Sequence, residues 1–155
     1  MVTVLFLEDL VVIGHNDGSL RTWSTRPLAQ RRVLSTKVGT IEALAYRKAV
    51  DMYAAATLSG QLLLGRLQGN SVDGVPLEIG PLYSVALSPH GRLAAAGSDD
   101  GRVAVWSIDD KRRAAPLINT GPTTVYALAF TPDGRTLWPA RVKARWRRGM
   151  SSDSR

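Results

Sequence analysis

The side chains that could hold a proton, a metal or a nucleophile are few in this chain of 155 residues. It has no cysteine, which excludes a disulfide framework and any thiolate site, and two histidines, His15 and His90. His90 sits in the turn Ser88-Pro89-His90-Gly91 and His15 in Gly14-His15-Asn16-Asp17-Gly18, so each is read as structural or solvent-facing rather than catalytic. No H-x-x-x-H, G-x-S-x-G or glycine-rich phosphate loop is present. Asp99-Asp100 and Asp109-Asp110 could suggest a cation site, but hairpin and loop chemistry account for both pairs. The segment ARWRRG (144–149) alternates arginine with tryptophan, a pattern able to hold phosphates with stacking support; it is read instead as part of a disordered or frameshifted end. The expectation is no catalytic residue, no metal and no cofactor.

The residues that carry information are those that shape the backbone. GHNDGSLRTWS from Gly14 to Ser24 aligns residue for residue with GSDDGRVAVWS from Gly97 to Ser107, placing Asp17 over Asp100 and Trp23 over Trp106. A degenerate copy, ATLSGQLLLGRL, runs from Ala56 to Leu67, with Ser59 at the aspartate position and Gly65 at the tryptophan position. Gly18, Gly60 and Gly101 therefore recur every 41 to 42 residues, inside the band for propeller blades. Asp-Gly between short apolar runs supplies the positive backbone angles of a tight hairpin. Two further turns, Ser88-Pro89-His90-Gly91 and Thr131-Pro132-Asp133-Gly134, each follow an apolar run, YSVAL or VYALAF.

In the joint spacing of turn, Asp-Gly and Trp, residues 2 to about 140 resemble the WD40 (G-beta-like) β-propeller family. The resemblance implies an all-β fold of four-stranded antiparallel blades. It marks Asp17, Gly18, Trp23, Gly60, Asp100, Gly101 and Trp106 as structural repeat positions. In that family the Trp N–H meets a Ser or Thr on the second strand, which is linked to a His before the first strand and to the hairpin Asp. This chain has no His there: the approaches read TKVGT, LEIGP and NTGPT. The family holds partner proteins or peptides on the face built from the first-strand starts and the hairpins. The resemblance thus points to Glu42, Tyr83 and Tyr126 at the strand starts and to His15, Asn16, Asp99 and Arg102 in the hairpins as candidate partner-binding residues.

The pattern predicts a partial propeller over 1–140, with blades at about 2–36, 40–79, 82–119 and 124–140, and a basic tail over 141–155. The fourth strands are expected at 32–36, 75–79 and 115–119, and no stretch shows a helical period. At roughly 41 residues per blade the chain makes three to four blades, whereas propellers close with about four to eight. The ring is expected to be incomplete, needing missing blades or a second copy, because the first blade's TVLF and LVVI strands are not polar caps. In the last segment the shifted reading frame turns Trp138-Pro139 into Ala and allows Trp-Asp-Val across Arg148 to Ser151, so a frameshift is expected to have made the tail.

The net charge of +7 resembles a nucleic-acid signal, but residues 141–155 carry six basic residues and one acid, leaving +2 for the rest. Nucleic acid is therefore not expected as a partner. The opening MVTVLFLEDLVVIG carries Glu8 and Asp9 inside its apolar run and is read as neither secretory signal nor membrane span, so a cytoplasmic protein is expected. The abundance of arginine, alanine and glycine suggests a bacterial source. The expected function is a non-catalytic protein-interaction scaffold, a fragment of a larger repeat protein. The alternatives are the propeller of a multidomain bacterial signalling ATPase or kinase, and an enzymatic propeller.

Overall fold

The computed structural model describes residues 3–35 and 38–141. Strand follows strand. β1 (Thr3–Leu7), β2 (Leu10–Gly14), β3 (Ser19–Thr25) and β4 (Leu28–Ser35) form the first sheet; β5 (Ile41–Arg47), β6 (Met52–Thr57), β7 (Gln61–Gly65) and β8 (Val72–Pro76) the second. The third holds β9 (Leu82–Leu87), β10 (Leu93–Ser98), β11 (Arg102–Ser107), β12 (Arg112–Arg113) and β13 (Ile118–Asn119), the last two both pairing with β11. β14 (Val125–Phe130) and β15 (Leu137–Arg141) make a two-stranded fourth sheet. Each sheet is an antiparallel meander, as four-stranded blades require, and the described sheets form an arc of incomplete propeller blades.

The hairpins form where Asp-Gly predicts them. Gly101 has φ +88° and Gly60 φ +82°. A Cβ on Gly101 would lie 1.6 Å from the Gly121 carbonyl oxygen, and one on Gly60 2.9 Å from that of Gly80. Only glycine satisfies both the angle and the approach. The hairpin carboxylates then close the turns locally. Asp17 Oδ1 accepts from Ser19 N (2.9 Å) and Ser19 Oγ (2.6 Å). Asp100 Oδ1 accepts from Ser98 Oγ (2.6 Å), and its Oδ2 takes the Arg102 guanidinium at 2.8 and 2.6 Å. In the degenerate copy Ser59 does the work of the aspartate, its hydroxyl 2.9 Å from Thr57 Oγ1. The two proline turns close in the same manner, with Ser88 Oγ accepting from Leu93 N (3.0 Å) and Thr131 Oγ1 from Thr136 N (3.1 Å).

Packing between sheets makes the core. Ala54, Ala56, Leu62 and Leu64 of the second sheet meet Leu82, Leu87, Ala94, Ala96 and Ala104 of the third; Val12, Leu20, Ile41, Tyr53, Ala55 and Leu63 join the first sheet to the second. The alanines allow the sheets to come close. The missing tryptophan at Gly65 has a replacement that sequence reasoning passed over. Tyr53 stands opposite Gly65 in register, is 2% exposed, and lies so near that a Cβ on Gly65 would be 2.7 Å from its hydroxyl oxygen. The corresponding pair in the third sheet is Ala94 opposite Trp106. Large and small have changed places, and the aromatic ring still covers the face turned to the preceding blade.

The fourth strands differ from expectation. β8 covers 72–76 rather than 75–79, because VDGVP pairs with β7 while the apolar Leu77 and Ile79, 2% and 0% exposed, bury themselves in the linker beyond it. β4 starts at Leu28, earlier than 32, because the turn at 26–27 lets pairing with β3 begin at once. The expected strand 115–119 is two short pieces, β12 and β13, with Pro116 between them removing a ladder donor. A 3-10 turn at Lys48–Val50 was not foreseen; Asp51 ends it at φ +48°. Val2, Thr36 and the tail from 142 onward lie outside the described residues, and with them the frameshift reading. No helix among the described residues is long and apolar enough to cross a membrane.

Tyr53→Ala is expected to destabilise by about 3–5 kcal/mol, the usual cost of removing a buried aromatic. Adding Gly65→Trp to it restores the arrangement of the third blade, and chemical denaturation should recover at least half of the loss; additive or worse behaviour refutes the exchange. The second expectation concerns the Arg102 guanidinium and Ser98 hydroxyl, which hold the Asp100 carboxyl down at about 2. A carboxyl with a depressed folded value stabilises the fold above the ordinary value near 4 and loses that contribution as pH falls from about 4 toward 2. Because the pair is exposed, the effect on the melting midpoint is expected to be a few degrees. Asp100→Asn should lower the midpoint at pH 7 and show a flatter profile between pH 5 and pH 2 than the unchanged chain.

Candidate partner-binding site

Gly14 and Gly97, the first residues of the two near-copies, are seats for the next blade. A Cβ on Gly14 would lie 2.7 Å from Ile41 Cγ2, and one on Gly97 2.6 Å from Val125 Cβ. Ile41, Leu82 and Val125 occupy the same position at the starts of β5, β9 and β14, and each is 0% exposed. Burial of such a residue is worth about 1.5–3 kcal/mol and pins the start of the strand. Ser84 Oγ adds a hydrogen bond to the Val125 carbonyl at 2.6 Å.

The residue after each anchor is the one the sequence singled out. Ile41 pairs with Thr57 and Ala43 with Ala56, so Glu42 is the extra residue of a bulge. Ser84 pairs with Gly97 and Leu82 with Ser98, which leaves Tyr83 in the same state. Val125 pairs with Arg141 and Ala127 with Ala140, bulging Tyr126. A bulge frees one residue from the alternation of the strand and re-aims its side chain. Three blades repeat this device at one place. Tyr83 and Tyr126 meet edge to face, with ring centres 6.1 Å apart at 75°, and Tyr126 remains 55% exposed.

The hairpin candidates divide. Asp99 is exposed beside the tyrosine pair: its N–H donates to the Pro81 carbonyl (3.2 Å), just before β9, and its carbonyl accepts from Thr124 Oγ1 (3.0 Å), just before β14. Asn16 repeats the arrangement one blade earlier, its carbonyl accepting from Thr40 Oγ1 at 3.1 Å, and it too is exposed. Glu42 is half-buried on β5. Arg102 is committed to Asp100, and His15 is half-buried, its Nε2 enclosed without a hydrogen-bond partner. The structure thus pairs Tyr83 with Tyr126, sets Asp99 against the entries to both their strands, places Glu42 and Asn16 on neighbouring blades, pairs Arg102 with Asp100 and leaves His15 half-buried. His90 is exposed in its turn, and no cluster of metal-binding side chains occurs among the described residues. The bulge itself had no signal in a single strand; it shows only when the registers of several blades are compared.

The profile of the WD domain, G-beta repeat (WD40), matches residues 74–107, which run from the fourth strand of the second blade through Ser107 at the end of β11. The chain is 29% identical over 126 residues to human WD repeat-containing protein 36, a match covering 77% of this chain and 14% of that protein. It is 27% identical over 118 residues to WD repeat-containing protein SL1-17 of Schistosoma mansoni, covering 75% of this chain and 39% of that protein. The chain therefore spans well under half the length of either relative. Both are animal proteins, which argues against the bacterial source expected from composition. The turns, the blade-sized spacing, the four-stranded meanders and these matches agree: residues 74–107 match the WD40 repeat, and the chain is similar over most of its length to WD repeat-containing proteins.

Proposed function

We propose that this chain is a non-catalytic interaction scaffold, part of a larger WD40-repeat protein of the cytoplasm, that holds a protein or peptide partner at the strand starts where Tyr83, Tyr126 and Asp99 converge. The bulge carries this reading. Three successive blades depart from strand geometry at the same residue, and two of those residues are tyrosines that pack edge to face, with Tyr126 exposed and Tyr83 half-buried. Tyrosine offers large, rigid contact area with a polar tip, the combination that dominates interface energetics. The near-neutral charge of residues 1–140 favours a protein over a nucleic acid or an anionic membrane. Exposed apolar residues on the outer face of the first sheet, Val4 (46%) and Phe6 (77%), support closure of the ring by further blades of a longer polypeptide or by a second copy.

Proximity labelling in cells, comparing the chain with its Tyr83→Ala/Tyr126→Ala form, tests the site. A single set of proteins is expected to disappear from the variant, and binding of the recovered partner should weaken by about 2 kcal/mol, roughly 30-fold in Kd, for Tyr126→Ala. Circular dichroism shows whether the variant remains folded. An unchanged set of labelled proteins on a folded variant rejects the proposal.

A further inference from the structure

At the opposite end of the strands from the tyrosine pair, the seam between the second and third blades opens into a cavity of about 310 Å³. Its floor is apolar, made by Met52, Leu64 and Val75 on one side and Trp106 and Ile108 on the other. The preceding seam is built differently at the same blade position. Arg32 on β4 stands opposite Thr22, and Asp73 on β8 stands opposite Leu64. Thr22 and Leu64 each lie four residues beyond a hairpin glycine, so Arg32 and Asp73 hold the same blade position. In the first seam the Arg32 guanidinium crosses to the next blade, donating to the Leu67 and Gly69 carbonyls at 2.8 Å each and to the Asn70 side-chain oxygen. That arginine bridges the first seam, which also holds a pocket of about 520 Å³ lined by Val33, Leu63 and Val72.

In the second seam the position of Arg32 is taken by an acid, and the crossing arginine there is Arg113 of the third blade, which donates to the Leu77 carbonyl at 3.2 Å. Asp73 is exposed on one rim, and Lys111 is exposed on the other at the place corresponding to Asn70. The two are too far apart to form an ion pair. Arg66, also at the rim, donates to the Val50 carbonyl at 2.8 Å. An apolar trough thus lies between a carboxylate and an ammonium. An extended peptide fits that chemistry, with an N–H toward Asp73, a carbonyl toward Lys111 and a large aliphatic side chain down on Trp106 and Leu64. An arginine side chain in the manner of Arg32 would meet the Lys111 and Arg66 charges, and a wholly polar segment would leave the floor uncovered. The volume is at the lower end of the range for small-ligand sites, the size of one large side chain with its flanking backbone.

We propose that this seam is a second binding site, separate from the tyrosine pair, that takes an extended segment of a partner protein through one large aliphatic residue. The test is a selection of random decapeptides on the full chain, counter-selected on its Asp73→Asn/Lys111→Met form. Both substitutions are at exposed positions and should leave the fold intact, which circular dichroism checks; each single variant reports independently. The expected result is a family of peptides sharing a central Leu, Ile or Met. Their Kd should rise at least tenfold in Asp73→Asn and in Lys111→Met and stay unchanged in Tyr126→Ala, and replacing the aliphatic residue of the peptide by Ser should abolish binding. Failure to recover any peptide that discriminates the two forms overturns the proposal, as does enrichment of arginine-bearing peptides lacking the aliphatic residue. Either failure leaves the tyrosine site untouched, because Tyr126→Ala is read separately.

Discussion

The joint between blades is a contact between backbones. At Gly101 the chain turns with positive φ, presses against the Gly121 carbonyl, and has its own carbonyl held by Thr120 N (2.9 Å) and Thr120 Oγ1 (2.8 Å). At Gly60 the same contact recurs with Gly80, and Leu77 N donates to the Gly60 carbonyl at 3.3 Å. Each hairpin therefore does two things at once: it closes its own blade and fixes where the chain enters the next. A Cβ at either glycine would separate the linker from the hairpin, and the following first strand, with its anchor and its bulged residue, would move with the linker. The placement of Tyr83 and Tyr126 follows from this joint.

Between these joints the blades are tied by arginine. Arg32 reaches the carbonyls of the second blade; Arg47 donates to the Leu87 carbonyl of the third at 3.3 and 3.0 Å; Arg113 reaches back to the Leu77 carbonyl at 3.2 Å. Hydrogen bonds with a charged partner are worth about 1.5–3 kcal/mol, whereas solvent screens the exposed ion pairs of this chain, such as Lys48–Glu8 at 2.7 Å. The family's link from Trp through Ser or Thr to His cannot form without the histidine. Ser98, on the second strand, instead closes its own hairpin through Asp100 Oδ1 and Arg102 N. Cohesion has moved from a network inside each blade to arginines that cross between blades. The arginine content first read as a sign of a bacterial source has a structural share.

What was legible in the sequence is what is local. Asp17-Gly18, Asp100-Gly101 and the two proline turns are set by four residues each, and all form as read. The inner strands follow because they lie between fixed turns. The fourth strands were misplaced because an outer strand is chosen by its partner: β8 is where β7 finds donors and acceptors, whereas the apolar run beyond it marks a buried linker. The candidate site was legible as a set of equivalent positions but not as a geometry. Nothing in Leu82-Tyr83-Ser84 announces a bulge; it arises because Leu82 must enter the core while Ser84 pairs with Gly97. The ion pair of Arg102 with Asp100 was not legible because that carboxylate, two residues earlier, was assigned to the turn alone.

A repeat fold gains individuality where it breaks its own pattern. Tyr53 over Gly65 and Trp106 over Ala94 fill equivalent spaces from opposite strands, so the two seams have different floors. The buried Tyr53 hydroxyl has no hydrogen-bond partner, and desolvation pushes its pKa up to about 12. An acid whose folded value is raised stabilises the fold below its ordinary value near 10 and ceases to do so as pH rises through about 12. The first seam has this ring in its floor and Arg32 bridging it to the Leu67 carbonyl. The second seam has an indole, two apolar strands and an unmatched pair of charges in the equivalent place. The exchange of Arg32 for Asp73 at one position gives the two seams opposite charge at the same place, and the proposed peptide site depends on that difference.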